Sequence, residues 1–172
     1  SEVKLSQQGI VTAIAWVYQN QPTYAFEGLI NFSAATISWL KNQLRLIDSA
    51  AETEELALSV AGNDGVYLVP AFVGLSAPYW QPDARAAIVG MTSATTRAHV
   101  VRAALESIAY QVKDVLELMA SESGVALQRI EGDGGAVRNR FLMQFVADMV
   151  RYPLRIPDLP ELSALGAVFA GY

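Results

Sequence analysis

The residues best suited to binding chemistry lie together in residues 130–139, with the sequence IEGDGGAVRN. A short extended run reaches the pair Gly134 and Gly135, and an amphipathic helix begins near Asn139. Glycine tolerates positive φ and has no Cβ, so the backbone here can pass close to another group. The first N–H groups of the helix lack intrahelical partners and lie at the positive end of its dipole. This pattern is typical of a phosphate or nucleotide site, although a glycine pair that only makes a tight turn has the same sequence.

Composition narrows the classes of partner. The 172-residue chain, long enough for one domain, is 52% hydrophobic and 17% charged, which favours buried strands or a face covered by another domain. A net charge of −5 argues against nucleic acid as a partner. No apolar run approaches the roughly 20 residues that span a bilayer, and Ser1 does not begin a signal peptide. We therefore expect a cytoplasmic protein that binds neither nucleic acid nor membrane.

Metal and disulfide chemistry have little support in the sequence. The chain has no cysteine and one histidine, His99, so a disulfide framework is excluded and a histidine-based zinc site is disfavoured. We expect His99 to be exposed or to cap a helix, and we assign it no chemistry.

The first part of the chain predicts a β-hairpin. Gly9–Tyr18 has the residue types of a strand, residues 19–22 break it, and a second strand fits Thr23–Glu27. Because side chains alternate along a strand, the larger residues of the first strand are expected on one face. They are Ile10, Ile14, Trp16 and Tyr18.

Two helices and a strand follow. Apolar residues at helical spacing predict a helix over about Asn31–Leu46, with Asn31 or Ser33 as its N-cap. A shorter helix fits Ala50–Val60, whose first turns are acidic as the helix dipole prefers. A buried strand is predicted over Val66–Pro70.

The segment Ala71–Ala86 is irregular and aromatic. Pro78 and Pro82 prevent regular structure, while Tyr79 and Trp80 carry large apolar area. Three interpretations remain open: a ligand wall, an interface, or a loop folded back onto the core.

The rest of the chain alternates strands and helices, which indicates an α/β layered domain with partly parallel strand pairing. The longest helix has a core-facing apolar stripe at three- and four-residue spacing, with Thr95 or Thr96 as its N-cap and Gly124 after its end. The predicted strands are Ala87–Met91, Gln128–Gly132 and Pro153–Pro157, and the predicted helices are Thr95–Met119, Asn139–Val150 and Leu162–Tyr172.

Three stretches carry specific motifs: residues 65–92 with APYW followed by PDAR, residues 86–106 (AAIVGMTSATTRAHVVRAALE), and residues 132–149 (GDGGAVRNRFLMQFVADM) with SALGA behind them at 163–167. On these motifs the chain resembles the C-terminal domain of the FGGY carbohydrate kinases, and the glycerol kinases among them most closely. The similarity extends over nearly the whole chain.

The resemblance implies an α/β fold, namely the second ribonuclease-H-like domain of the actin/hexokinase superfamily. Members of the family close two such domains on ATP and a polyol or sugar, with Mg²⁺ as a further cofactor. It also implies that Gly134, Gly135 and Asn139 contact the adenosine side of ADP. Asp133 is expected either to contact Mg²⁺ through water or only to fix the turn.

Two positions depart from the glycerol kinase pattern. The helix predicted to begin near Asn31 carries, in those enzymes, a glycine and then a glutamine near the nucleotide. The matching residues here are Ala34 and Ser38. Because alanine adds a methyl group and serine has a shorter reach, we expect a looser or differently shaped nucleotide contact.

Other parts of the family pattern are absent from these 172 residues. The family supplies its catalytic base as an aspartate in a GDQ-type motif and holds the phosphates with a GTG-type turn, and neither motif occurs here. We therefore expect residues 1–172 to be a single partial domain, incomplete at its N-terminal strands and inactive alone.

The resemblance also implies that the first two strands of the family's sheet are absent from these residues. The third strand of that sheet, Gly9–Tyr18, would then be separated from the fourth, Val66–Pro70. Unpaired strand edges invite pairing, so we expect the sheet to be repaired differently or completed by a partner's strand.

The leading functional prediction is the nucleotide-binding part of an ATP-dependent glycerol kinase, which would phosphorylate a primary hydroxyl of glycerol. One alternative is another FGGY kinase, acting on a pentulose or a tetritol. A second is a non-catalytic interaction or oligomerisation module, which the Tyr79–Trp80 loop and the apolar composition permit. A homo-oligomer is expected in either case.

Overall fold

The structure is a computed structural model that describes residues 3–158 and 162–170. Helices and strands are mixed along this part of the chain, in close agreement with the predicted order. The strands are β1 (Val11–Tyr18), β2 (Gln21–Glu27), β3 (Tyr67–Val69), β4 (Ala87–Val89), β5 (Ile130–Glu131) and β6 (Leu154–Arg155), and the helices are α1 (Ala35–Asn42), α2 (Glu52–Leu58), α3 (Arg97–Ser123), α4 (Arg140–Val150) and α5 (Leu162–Ala170). A 3₁₀ turn at Gly135–Arg138, which the sequence did not predict, precedes α4.

β1 and β2 form the predicted antiparallel hairpin. Gln19 and Asn20 make its two-residue turn, with φ of 48° and 59°. Positive φ at both central residues is the type I′ geometry, whose twist matches that of paired strands. Pro22 consequently lies within β2, paired with Val17, and not in the break where the sequence placed it.

A β-bulge changes which side chains of β1 share a face. The register shifts between Ile14 and Trp16, so Ala15 is an extra residue that interrupts the alternation. Ile14, Trp16 and Tyr18 are 59%, 61% and 69% exposed, whereas Ile10, just before the strand, is buried. The prediction of one apolar face formed by these four large residues is therefore wrong.

α1 is shorter than predicted. Its N-cap is Ala34, which makes no side-chain capping hydrogen bond, so the prediction of Asn31 or Ser33 as N-cap is wrong. The helix ends well before Leu46, and Arg45 in the connection has a φ of 54°, which is incompatible with a continuing right-handed helix.

α3 is the longest helix and has the predicted caps. Thr96 is its N-cap and Gly124, with φ of 67°, ends it in the left-handed conformation. The N–H of Thr96 donates to Nδ1 of His99 at 3.0 Å, so the histidine caps the helix.

The apolar stripe of α3 contributes residues to two hydrophobic clusters. The first turns, including Val101, pack with Val66 beside β3. Further along the helix, Leu105 packs with Ala57 of α2 and Leu142 of α4. α3 therefore fixes the relative position of α2 and α4, the two helices that border the site described below.

The described strands form three separate two-stranded sheets. β3 and β4 are antiparallel, and β5 and β6 are parallel, which confirms the predicted partly parallel pairing. Within residues 3–158 and 162–170, β1 pairs with β2 alone and β3 with β4 alone. The expected separation of residues 9–18 from residues 66–70 is thus observed, and the hairpin gives β1 one neighbour.

The aromatic loop is folded back onto the domain. The hydroxyl of Tyr79 donates to Oδ2 of Asp114 in α3 at 2.7 Å, and the indole Nε1 of Trp80 donates to the carbonyl of Gln8 at 3.0 Å. Both aromatic side chains remain about half exposed. The loop therefore folds back, but these two aromatic side chains do not plug the core, and the interpretations as a ligand wall or an interface stay predictions.

In the part of the chain that the structure describes, no helix has both the length and the hydrophobicity that crossing a bilayer requires.

Candidate functional site

The glycine pair makes an open turn between β5 and α4. Gly134 has φ of 90° and ψ of −179°, a region that is essentially restricted to glycine. A Cβ placed on either Gly134 or Gly135 would meet no heavy atom within 4 Å. The backbone at this turn is therefore accessible to an approaching ligand, as the sequence predicts.

Asn139 links α4 to α2. Its Oδ1 accepts a hydrogen bond from the N–H of Leu142 at 2.9 Å, which caps α4, and its Nδ2 donates to Oγ1 of Thr53 at 3.0 Å. Because Thr53 is almost fully buried in α2, this bond holds the start of α4 against the second helix.

The N–H groups at the start of α4 are not vacant, contrary to the simple helix-terminus argument. Asn139 accepts from one of them, and Oε2 of Glu54 accepts from the N–H of Arg140. A carboxylate at this terminus is stabilised by the positive end of the helix dipole, and it repels a phosphate that approaches the same place. The terminus is therefore better suited to the uncharged end of a ligand.

A cavity of about 790 Å³ lies between α2 and the segment that precedes α4. Its volume falls within the range of small-molecule sites, roughly 300–1,000 Å³. Arg138 and Asn139 form one side, and the opposite side is formed by residues of α2 and its flanks. These are Ala50, Ala51, Glu54, Glu55, Leu58 and Ser59.

The structure brings only part of the predicted site to this cavity. Asn139 lines it, and Gly134 and Gly135 lie just upstream of the lining residue Arg138. Ala34 and Ser38 are exposed at the start of α1 and are not among the lining residues. Their contact with a nucleotide stays a prediction.

The described residues do not form a metal cage. No group of three or more histidine, cysteine, aspartate or glutamate side chains is arranged to hold an ion among residues 3–158 and 162–170. Oδ1 of Asp133 accepts from the N–H of Gly134 at 2.7 Å, which fits the expected role of fixing the turn. A contact of Asp133 with Mg²⁺ through water stays a prediction.

Sequence reasoning missed the wall that α2 contributes. The sequence predicts a short helix over Ala50–Val60 and explains its acidic first turns by the helix dipole, without assigning these residues to a site. Thr53 and Asn139, which join the two walls, are 86 residues apart. No short-range pattern in the sequence links positions so distant, so only the fold reveals this wall.

The whole chain, residues 1–172, matches the model of the FGGY family of carbohydrate kinases, C-terminal domain. It is 52% identical over 169 residues to the glycerol kinase of Shewanella piezotolerans, covering 98% of this chain and 34% of that protein. The glycerol kinase of Desulforamulus reducens is 51% identical over 168 residues, covering 98% and 34%.

Solved structures agree with the fold. The crystal structure of Plasmodium falciparum glycerol kinase with ADP matches with a TM-score of 0.90 and 37% identity, covering 96% of this chain and 33% of that one. A xylulose kinase from Rhodospirillum rubrum matches with a TM-score of 0.70 and 28% identity, covering 87% and 31%. The chain spans about a third of the length of the curated relatives it matches. It belongs to the FGGY family of carbohydrate kinases and corresponds to the C-terminal domain of that family.

Proposed function

We propose that this chain forms the nucleotide-binding part of an ATP-dependent glycerol kinase, with the nucleoside in the cavity between α2 and α4. The observation that carries the proposal is the cavity itself, of about 790 Å³ and lined by Asn139. Asn139 is one of the residues that the family resemblance assigns to the adenosine side of ADP. A similar glycerol kinase from Plasmodium falciparum was crystallised with ADP.

The charges around the cavity support one orientation of the nucleotide. Glu54 and Glu55 line it and disfavour phosphate groups inside. We therefore expect the nucleoside to occupy the cavity and the phosphates to lie outside it. This orientation agrees with the resemblance, which assigns Gly134, Gly135 and Asn139 to the adenosine side of ADP.

In the proposed reaction the γ-phosphoryl group moves from ATP to a primary hydroxyl of glycerol. Such a transfer needs a base that accepts the hydroxyl proton and donors that stabilise the phosphates. The motifs that supply both in the family do not occur in this sequence. The role proposed for these residues is therefore to bind and orient the nucleotide, and Mg²⁺ is expected to arrive with the phosphates. The 172-residue chain alone is expected to bind ADP and to transfer no phosphate.

Ala34 and Ser38 belong to the proposed site on the resemblance alone. Serine is too short to replace the glutamine that glycerol kinases carry there. Because Ser38 is exposed, the longer side chain of Ser38→Gln can be accommodated, and we expect this variant to bind ADP more tightly. Unchanged affinity would remove position 38 from the proposed site.

Calorimetric titration of the 172-residue chain with ADP tests the nucleotide site. Gly135→Trp fills the open space over the turn and is expected to abolish binding. Gly62→Ala is the control, because a Cβ at Gly62 makes only an ordinary contact, 3.9 Å from the N of Asp64. A folded wild-type chain that does not bind ADP would instead favour a non-catalytic interaction module, with the oligomeric state measured by light scattering.

The substrate is tested in the natural full-length protein with a panel of polyols and ketoses. Glycerol kinases at 50–52% identity favour glycerol, whereas Ala34 and Ser38 depart from their pattern. The expected result is a higher kcat/KM for glycerol than for any pentulose or tetritol. Xylulose outcompeting glycerol would identify a sister FGGY kinase.

A further inference from the structure

Arg102 of α3 is not among the residues that line the cavity, but it contacts α2 and α4, the two helices that border it. From α3, its Nη1 donates to the carbonyls of Ala57 and Val60, at 3.1 and 2.8 Å, at the end of α2. Its Nε donates to Oε1 of Glu106, one turn further along α3, at 2.8 Å. Its guanidinium lies over the ring of Phe141 in α4, 5.0 Å from the ring centre.

α2 needs such external support. It has seven residues, of which only Thr53 and Ala57 are buried, and its N-cap, Ala51, makes no side-chain hydrogen bond. Helices this short are marginal on their own, so tertiary contacts determine their position. Asn139 and Glu54 hold the first turn of α2 to α4, and Arg102 holds its last turn to α3.

The other partners of Glu106 fix Arg102 in turn. Glu106 is 3% exposed, and its Oε2 accepts from Nδ2 of Asn63 at 2.9 Å and from the hydroxyl of Tyr110 at 3.3 Å. A buried carboxylate with this many donors is rigid and remains paired. The guanidinium therefore has a fixed position relative to α3.

We propose that Arg102 is a positioning residue for nucleotide binding, because it sets the distance between the α2 wall and the α4 wall of the cavity without touching the ligand. Six of the eight lining residues belong to α2 or its flanks, so a displacement of the last turn of α2 reshapes one whole wall. This inference rests on the proposed nucleotide site and extends it to a residue outside the cavity.

The variant Arg102→Lys tests the role, because lysine keeps the charge near Glu106 but lacks the planar fork that reaches both carbonyls and the ring. Its matched control is Val115→Ala, a buried position on the same helix that belongs to neither cluster containing α2 or α4 residues. Both variants are expected to lower the thermal midpoint.

ADP affinity then separates positioning from stability. Arg102→Lys is expected to raise the Kd for ADP about 2- to 30-fold, the range known for residues that couple to a ligand without contact. Val115→Ala is expected to leave the Kd unchanged. If the two variants raise the Kd equally at equal loss of thermal midpoint, Arg102 has only a structural role.

Hydrogen exchange supplies a readout that does not depend on ADP. In Arg102→Lys, the amides of α2 are expected to exchange faster while those of the second half of α3 are unchanged. Uniform loss of protection would overturn the proposal. If wild-type protein binds no ADP, the proposed function fails, and selective exposure of α2 still shows that Arg102 holds this wall.

Discussion

The side-chain amide of Asn139 donates to the hydroxyl of Thr53 at 3.0 Å, while its oxygen caps α4. A single side chain therefore accepts a hydrogen bond from a free N–H group at the start of α4 and holds α2 in place opposite it. The residue with the strongest predicted link to a nucleotide is also the residue that joins the two walls of the cavity. Substitutions here must affect both binding and stability, and the two effects can be separated by the choice of variant.

Asn139→Ala is expected to destabilise the chain by about 1 kcal/mol, the usual effect of losing an N-cap, and to weaken ADP binding. Asn139→Asp keeps the capping oxygen but loses the donor to Thr53 and adds a negative charge to the cavity. It should therefore be more stable than the alanine variant in urea unfolding, yet bind ADP more weakly than wild type in calorimetry. Wild-type affinity in both variants would show that Asn139 does not contact the nucleotide.

The two glycines are expected to respond differently to alanine. Gly134→Ala forces a side chain into a backbone region restricted to glycine, at a cost of roughly 1–3 kcal/mol. Gly135 has no positive φ and open space around it, so Gly135→Ala should change the free energy of unfolding by less than about 0.5 kcal/mol. If the nucleotide lies against this turn, Gly135→Ala nevertheless weakens ADP binding. Urea unfolding and ADP calorimetry on both variants distinguish a ligand-contacting glycine from a purely conformational one.

The sequence predicted the parts of the fold and site that depend on local patterns. The glycine pair predicted a turn with positive φ, which Gly134 adopts. The sequence also predicted that a helix begins near Asn139, and helical spacing predicted the apolar stripe of α3. The exposed face of β1 was not predictable, because the bulge at Ala15 changes the alternation and no residue type in the strand signals it. The wall formed by α2 was not predictable either, since Glu54 contacts Arg140 across 86 residues of sequence. The glycine turn and Asn139 could be identified from the sequence, whereas the cavity wall that α2 forms opposite Asn139 could not.

Thr36 and Thr53 are both buried but differ in the hydrogen bonding of their hydroxyl groups, so the same substitution at each should have opposite effects on stability. Thr36 and Thr53 are 0% and 1% exposed, but Oγ1 of Thr36 has no hydrogen-bond partner among the described residues. Replacing that hydroxyl with the methyl group of valine removes an unsatisfied polar group, so Thr36→Val should stabilise the chain by roughly 1 kcal/mol.

Thr53→Val provides the contrast, because Oγ1 of Thr53 donates to the carbonyl of Ala50 and accepts from Asn139. It should destabilise by roughly 1–3 kcal/mol. The two free energies of unfolding, measured in urea, should have opposite signs. A loss of stability in Thr36→Val would mean that its hydroxyl has a partner, such as a bound water.

Alkaline titration tests the attachment of the aromatic loop. The hydrogen bond from Tyr79 to Asp114, with burial as a smaller cause, raises the pKa of Tyr79 to about 12 from its ordinary value of 10.0. The raised pKa means that this contact stabilises the fold fully below the ordinary value, and that the contribution is lost as the pH rises through about 12. The tyrosinate absorbance of Tyr79→Phe, subtracted from that of wild type, should show one transition near pH 12. A difference transition near pH 10 would show that the loop is not held to α3.

Acid titration tests the attachment of the segment before β1 to α3. The side chain of Glu122 accepts from the hydroxyl of Ser6 and from the N–H groups of Gln7 and Gln8. These bonds favour the ionised form, with the Ser6 hydroxyl as the largest cause, and lower the pKa of Glu122 below its ordinary value.

A lowered pKa gives stability that is present above the ordinary glutamate value and is lost as the pH falls through the lowered pKa. Amide exchange at Gln7 and Gln8, followed by NMR and corrected for intrinsic rates, should therefore accelerate in acid before the amides of α3 do. Glu122→Gln should show the faster exchange already at neutral pH, because its amide is a weaker acceptor. Protection at Gln7 and Gln8 that does not change with pH in wild type would mean that Glu122 does not hold this segment.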